Sequence, residues 1–345
     1  MKAAPNKGKQ HVFIFPACCV VINLIGFVLY FIASKEDPLI LGIGLTAYLL
    51  GLRHAFDADH IAAIDNTVRK LIAQKQDANG VGFYFSLGHS TVVIIMSILL
   101  NLFMHWSQQH LSFFQQIGHW VGSMISSLFL ISIGIANTLV FLRLRKDYLD
   151  YKAHQDSEKL DNKPLLLPQG PLTMVFHGLF RLVNRSYQIY PIGFLFGLGF
   201  DTTTEVSLLA LSAGVAKHAV SFTGLLALPL LFTSGMVIVD SLDSILMSGA
   251  YKQALRTPVH RFYYNMIVTG LSVMTALFIG MTEWVQIGAE QFHWHNTVST
   301  GLQKINFSQA GYGLALLFIV IWVVGSLGFR KNRSTLQNKV NHNNN

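Results

Sequence analysis

The chain reads as an all-α integral membrane protein, a single polytopic domain over residues 1–345 with eight transmembrane helices. Three observations carry that reading. Of 345 residues 52% are hydrophobic and only 12% charged, whereas an ordinary soluble domain carries about 25% charged residues. Eight segments stay apolar for close to the ~20 residues that cross a hydrocarbon core. Finally, Lys and Arg alternate so strongly between the loops that the eight spans separate cytoplasmic from outer sides with 21 against 3.

In order, the expected spans cover Val12–Ala33, Leu39–Ile64, Val81–Met104, Ile117–Leu142, Ile189–Val215, Phe222–Met247, Phe262–Met281 and Gln309–Phe329. Lys2, Lys7 and Lys9 precede span 1 as they would a signal peptide. Its apolar run is too long for one, and no clear small-residue cleavage site follows, so a retained helix is expected. The outer side would hold only Lys35, Lys217 and Lys304, while Arg53 lies within span 2. By the positive-inside rule both termini face the cytoplasm. A cytoplasmic loop at about 143–187, interrupted by Pro164, Pro168 and Pro171, is the one sizeable polar piece, and the Asn-rich tail at about 334–345 is expected to be disordered. The formal charge of +8 is explained by this orientation rather than by nucleic acid, which is not expected as a partner. Cys18 and Cys19, adjacent in an apolar run, cannot form an ordinary structural disulfide.

Against this background the polar residues inside the spans stand out. Gly51-Leu-Arg-His-Ala-Phe-Asp-Ala-Asp-His-Ile61 carries Arg53, His54, Asp57, Asp59 and His60 within eight residues. A single Asp or Arg at the bilayer centre costs roughly 2.5–3.5 kcal/mol even on the lenient insertion scale. Span 3 adds His89 in Phe85-Ser-Leu-Gly-His-Ser-Thr91, span 5 adds Asp201 and Glu205, and span 6 adds Asp240 and Asp243. With histidine neutral, six carboxylates then face one arginine. Protons or bound cations must offset that deficit.

A regular helix turns about 100° per residue. Arg53, His54, Asp57 and His60 would then fall within an arc of roughly 120°, with Asp59 on the far side, holding a ligand or a neighbouring helix in place. Asp201 and Glu205 share a face at i and i+4, and Asp240 and Asp243 do so at i and i+3. Imidazole with carboxylate suits Ni²⁺, Co²⁺ and Zn²⁺, and no thiol is near enough to favour Cu(I). The candidate metal residues are therefore His54, Asp57, Asp59, His60 and His89. Arg53, Asp201, Glu205, Asp240 and Asp243 are assigned to the transport path or to supporting those ligands.

Structural readings stand beside these. Arg53 could simply neutralise Asp57, His89 could bond a serine or a carbonyl, Asp201 and Glu205 could bond Thr202 and Thr203, and Asp240 and Asp243 could be solvated near the inner end of span 6. His293 and His295 are expected to be solvated loop residues. An inverted repeat is also expected, since Gly51–Asp57 followed by Phe85–Gly88 parallels Gly197–Asp201 followed by Phe232–Gly235.

The segments Arg53-His-Ala-Phe-Asp-Ala-Asp-His-Ile61, Phe85-Ser-Leu-Gly-His-Ser-Thr-Val-Val93, Leu198-Gly-Phe-Asp-Thr-Thr-Thr-Glu205 and Gly235-Met…Asp240-Ser-Leu-Asp243 closely resemble the signatures of the nickel/cobalt transporter family of bacterial permeases. The resemblance implies eight helices and metal recognition by His54, Asp57, Asp59 and His60. It further implies high-affinity Ni²⁺ or Co²⁺ uptake across the cytoplasmic (inner) membrane, supplying enzymes such as urease or hydrogenase. The chain has Asp240-Ser-Leu-Asp-Ser where the family pattern reads Asp-Thr-x-Asp-Gly.

No GxxxxGK[ST] phosphate loop occurs. A secondary permease is therefore expected, driven by membrane potential or proton exchange, with no ATPase partner evident from the chain and no cofactor beyond the transported ion. The expected partners are a divalent transition-metal ion and the lipid bilayer. Two rivals remain on the residues alone. A membrane-embedded metalloenzyme is disfavoured by the absence of HExxH and of repeated histidine clusters; a proton-coupled carrier of an organic substrate would use the carboxylates as a relay.

Overall fold

A computed structural model describes residues 7–102, 104–154, 183–199, 203–216, 222–254, 258–293, 297–303, 305, 310–317 and 319–320. Its helices are α1 (Lys7–Glu36), α2 (Leu39–His54), α3 (Ala58–Ala73), α4 (Val81–Leu102), α5 (Met104–His154), α6 (Tyr190–Gly197), α7 (Thr203–Ala216), α8 (Phe222–Ala254), α9 (Pro258–Phe292) and α10 (Thr297–Gln303), with a 3₁₀ turn at Ser186–Ile189 before α6. No strand occurs among the described residues.

Five of these helices are long and apolar enough to cross a membrane, and six spans result if the bent pair α2–α3 is one of them. Exposure runs opposite to that of a soluble fold. Val20, Val21, Leu24, Ile25, Val28 and Phe31 of α1 face outward, while Ser86, Ser90, Ser127, Ser234 and Ser244 are buried. An outer apolar surface of this kind matches lipid, and the inward polar groups mark helix contacts. The protein is thus a multi-pass helical membrane protein.

Span 2 departs from the expected regular helix. It stops at His54 and restarts at Ala58 with a 53° bend. Phe56 N–H and Asp57 N–H bond Arg53 O and His54 O in tight turns (3.0 and 2.8 Å), and Ile61 N–H then reaches back to Asp57 O (3.2 Å). Asp57 sits at the N-cap of α3 in an extended conformation, φ −65° and ψ 142°, yet its carboxylate makes no cap hydrogen bond. Capping would normally be that side chain's role; here His54 takes it instead (2.9 Å). Moreover, α3 continues past the expected boundary at Ile64 and buries Asp65, Arg69 and Lys70.

Span 5 is likewise interrupted, α6 ending at Gly197 and α7 covering Thr203–Ala216, and span 8 lies only partly in the described residues. The outer loop expected between spans 3 and 4 is helical, since α5 begins at Met104 and its apolar window covers Gln116–Lys146. Residues 155–182 of the cytoplasmic loop, Asp201, His295 and the 334–345 tail lie outside the described residues.

The helices meet most closely at glycines. In the α2·α8 contact a Cβ at Gly51 would fall on the carbonyl oxygen of Phe232, and one at Gly235 on Tyr48 O and Leu52 N. The α4·α6 contact has the same arrangement: a Cβ at Gly193 would fall on Phe85 O, and one at Gly88 on Tyr190 O and Phe194 N. Both pairs read Tyr-x-x-Gly on one helix and Phe-x-x-Gly on the other. Only glycine permits such backbone approach, and the approach draws the ends of α2 and α7 against α4 and α8.

Candidate metal site

The break in span 2 turns His54, the last residue of α2, and His60, in the first turn of α3, toward one point. His89 reaches that point from α4, one residue beyond the Gly88 crossing. Each offers a ring nitrogen, and the three atoms lie within 4.8 Å of one another. All three side chains are buried, at 0–2% exposure. The ring centroids are 4.6, 4.7 and 4.9 Å apart.

Carboxylates surround the histidines in two roles. His54 Nδ1 is 2.9 Å from Asp57 Oδ2, with Thr204 Oγ1 at 3.1 Å from the same nitrogen. His60 Nδ1 faces Asp240 Oδ2 at 3.4 Å. That oxygen also accepts from Ser86 Oγ at 2.5 Å. With Nδ1–H donated to a carboxylate, both rings keep the Nε2 lone pair for the centre, the arrangement that orients metal-binding histidines. His60 Nε2 has no hydrogen-bond partner among the described residues. Glu205, on the first turn of α7, stands among the histidines: its Oε1 is 2.7 Å from His89 Nε2 and 3.9 Å from His54 Nε2. His54 Nε2 and His89 Nε2 are 3.0 Å apart.

The remaining candidates are distributed otherwise. Asp59 is half-buried on α3, outside the histidine group but within electrostatic reach of His54. Arg53 has an exposed side chain and forms no ion pair among the described residues, and Asp57, its partner in the alternative structural reading, bonds His54. Asp240 is fully buried rather than solvated, and Asp243 is half-buried one turn further along α8. Asp201 lies outside the described residues. His293 is exposed, as expected. Ser86, Thr204 and Asp65 escaped the sequence reading. Ser86 and Thr204 belong to the quoted motifs, whereas Asp65 fell one residue beyond an expected span end that hydropathy set too early.

The fold and this group define a polytopic helical membrane protein with a buried imidazole–carboxylate centre, and such donors suit a borderline transition metal. Residues 40–327 match the NicO family, described as high-affinity nickel-transport protein, and the chain belongs to that family. It is 43% identical to the nickel transporter NixA of Staphylococcus aureus, over 92% of this chain and 94% of that protein. It is 43% identical to the high-affinity nickel-transport protein NixA of Helicobacter pylori, over 88% and 92% of the two, and 34% identical to the cobalt transport protein NhlF of Rhodococcus rhodochrous, over 90% and 89%. These relatives are named as transporters, not enzymes. No solved structure matches the chain.

Proposed function

We propose that the chain is a secondary permease that takes up Ni²⁺, with Co²⁺ as a second substrate, across a bacterial cytoplasmic membrane. The observation that carries this reading is the cluster of His54, His60 and His89 with Glu205 among them. In the proposed ligand set the three Nε2 atoms and Glu205 Oε1 touch the ion, while Asp57 and Asp240 hold His54 and His60 in register.

Imidazole and carboxylate donors together suit Ni²⁺ and Co²⁺, and separations of 3.0, 2.7 and 3.9 Å among His54 Nε2, His89 Nε2 and Glu205 Oε1 gather those donors around one point.

An inverted repeat accounts for the paired glycine crossings. In this reading α2 and α3 correspond to α6 and α7, and α4 to α8, but the glycine crossings pair Tyr48-x-x-Gly51 with Tyr190-x-x-Gly193, a register four residues earlier in the second half than the Gly51–Gly197 alignment expected from the sequence. Each half then contributes one broken span to a central site, an arrangement found in many secondary transporters. The eight-span count, with α6–α7 as span 5 and span 8 beginning near residue 309, and both termini in the cytoplasm, belong to the same proposal.

Cells expressing the chain should accumulate radiolabelled nickel from trace concentrations well above cells carrying an empty vector, and unlabelled Co²⁺ should compete. Uptake equal to the empty vector would overturn the reading.

A further inference from the structure

Span 8 supplies none of the proposed donors, yet it rests on the break in span 2. Residues 310–317 are helical, and Ala310, Leu314 and Ala315 pack against the core cluster that holds Ala58, Ile61 and Ala62 of α3. Gly311 is buried on the same segment. A Cβ at Gly311 would fall on Phe56 O and lie 2.8 Å from Phe56 C and 3.0 Å from Ala58 N, all of them backbone atoms. The next residue, Tyr312, reaches the same linker through its ring, 5.2 Å from that of Phe56 at an interplanar angle of 37°.

These contacts bracket Asp57. Phe56 C and O belong to the peptide before it and Ala58 N to the peptide after it, so Gly311 rests on both. Asp57 N–H in turn bonds His54 O at 2.8 Å, and its Oδ2 is 2.9 Å from His54 Nδ1. A shift of the linker therefore moves the carboxylate that aims His54 and, through Ala58, the start of the helix that carries His60. The break in span 5 is seated in the same way. A Cβ at Gly122 of α5 would fall on Gly199 Cα and N and lie 3.1 Å from Leu198 C, just beyond α6. Each broken span is thus backed by a glycine from a span outside the proposed ligand set.

We infer that Gly311 and Tyr312 are positioning residues for the metal centre: span 8 fixes the Phe56–Ala58 linker, and the linker fixes the angle at which His54 and His60 meet. The inference rests on the transport reading above and adds to it a role for a span that holds no ligand. Real Cβ atoms keep at least 3.0 Å from such neighbours. The methyl group of alanine would therefore force span 8 and the linker apart by more than the roughly 0.5 Å within which a binding constellation keeps its geometry.

The test uses the full chain in detergent, titrated with Ni²⁺ and, separately, loaded with Co²⁺, whose visible absorption reports the arrangement of its ligands. Gly311→Ala should weaken nickel binding by about 10–100-fold, the size expected when a group that orients a ligand is disturbed, and should change the Co²⁺ spectrum. Tyr312→Ala should do both to a smaller extent. Gly313→Ala, where a Cβ would meet nothing within 4 Å, should match the parent in both.

A parent-like Co²⁺ spectrum in Gly311→Ala overturns the inference even where its affinity or thermal stability falls, since helix packing alone then explains the glycine. Should Gly311→Ala fail to reach the membrane, Tyr312→Ala decides by the same criterion. A parent protein that neither binds nor transports nickel overturns the transport reading itself, whereas a parent that binds while both variants keep its spectrum overturns only the role of span 8.

Discussion

His89 Nε2 lies 2.7 Å from Glu205 Oε1 and 3.0 Å from His54 Nε2, so a proton on that nitrogen bonds the carboxylate and must leave before a cation can bind there. Metal affinity should therefore weaken as pH falls, because proton and metal compete for the same atoms, and binding should release protons. Calorimetric titration in buffers of different ionisation enthalpy checks this, and an enthalpy independent of buffer together with an affinity flat from acid to neutral pH would exclude the histidines as ligands. Substitutions should separate the two carboxylate roles. His54→Ala, His60→Ala, His89→Ala and Glu205→Gln remove proposed donors and should abolish nickel uptake at trace concentration. Asp57→Asn and Asp240→Asn leave every donor in place and loosen its orientation, for which a 10–100-fold loss of affinity is about the expected size. Equal losses in both groups, measured by nickel titration, would refute the division.

At the scale of the helices, the break in span 2 and the glycine crossings set the site. The break is maintained by Asp57, whose carboxylate leaves its cap position to hold His54. Gly51 allows the turn before the break to lie directly against Phe232 O, whereas a Cβ at Gly42, two and a half turns earlier on the same helix, would meet nothing within 4 Å. Gly51→Ala should force α2 and α8 apart, lower thermal stability by about the 1–3 kcal/mol typical of overpacking, and impair uptake through displacement of His54. Gly42→Ala should be neutral or slightly stabilising, since alanine is the better helix former. Thermal unfolding in detergent, run alongside uptake, tests the pair. A neutral Gly51→Ala would mean that the crossing is looser than its carbonyl contact implies.

For the whole molecule the orientation is the decisive expectation. A reporter fused after Lys339 should behave as cytoplasmic, and cysteines introduced at Gln109 or Thr297 should react from outside with an impermeant reagent. A cytoplasmic response at Gln109 would reverse the orientation.

Much of this was legible in the residues. Composition and loop charge specify a multi-pass helical protein, because the bilayer penalises each unpaired charge independently of its neighbours. The density of His54, Asp57, Asp59 and His60 similarly points to metal chemistry whatever the packing. What only the tertiary structure decided is which of these groups face one another. A regular 100° rotation put Asp57 beside His54 and His60 as an equal ligand, but the bend after His54 makes Asp57 the residue that orients a histidine. Glu205, 145 residues beyond His60 in the chain, instead stands next to His89. Asp65 and Arg69, read as lying past the end of a span, became buried because α3 runs on through the protein interior, where neighbouring helices rather than lipid supply the partners. Hydropathy averages over a window and carries no information about those partners, so the limits of the spans, the roles of the carboxylates and the burial of Asp65 and Arg69 depend on contacts between distant parts of the chain.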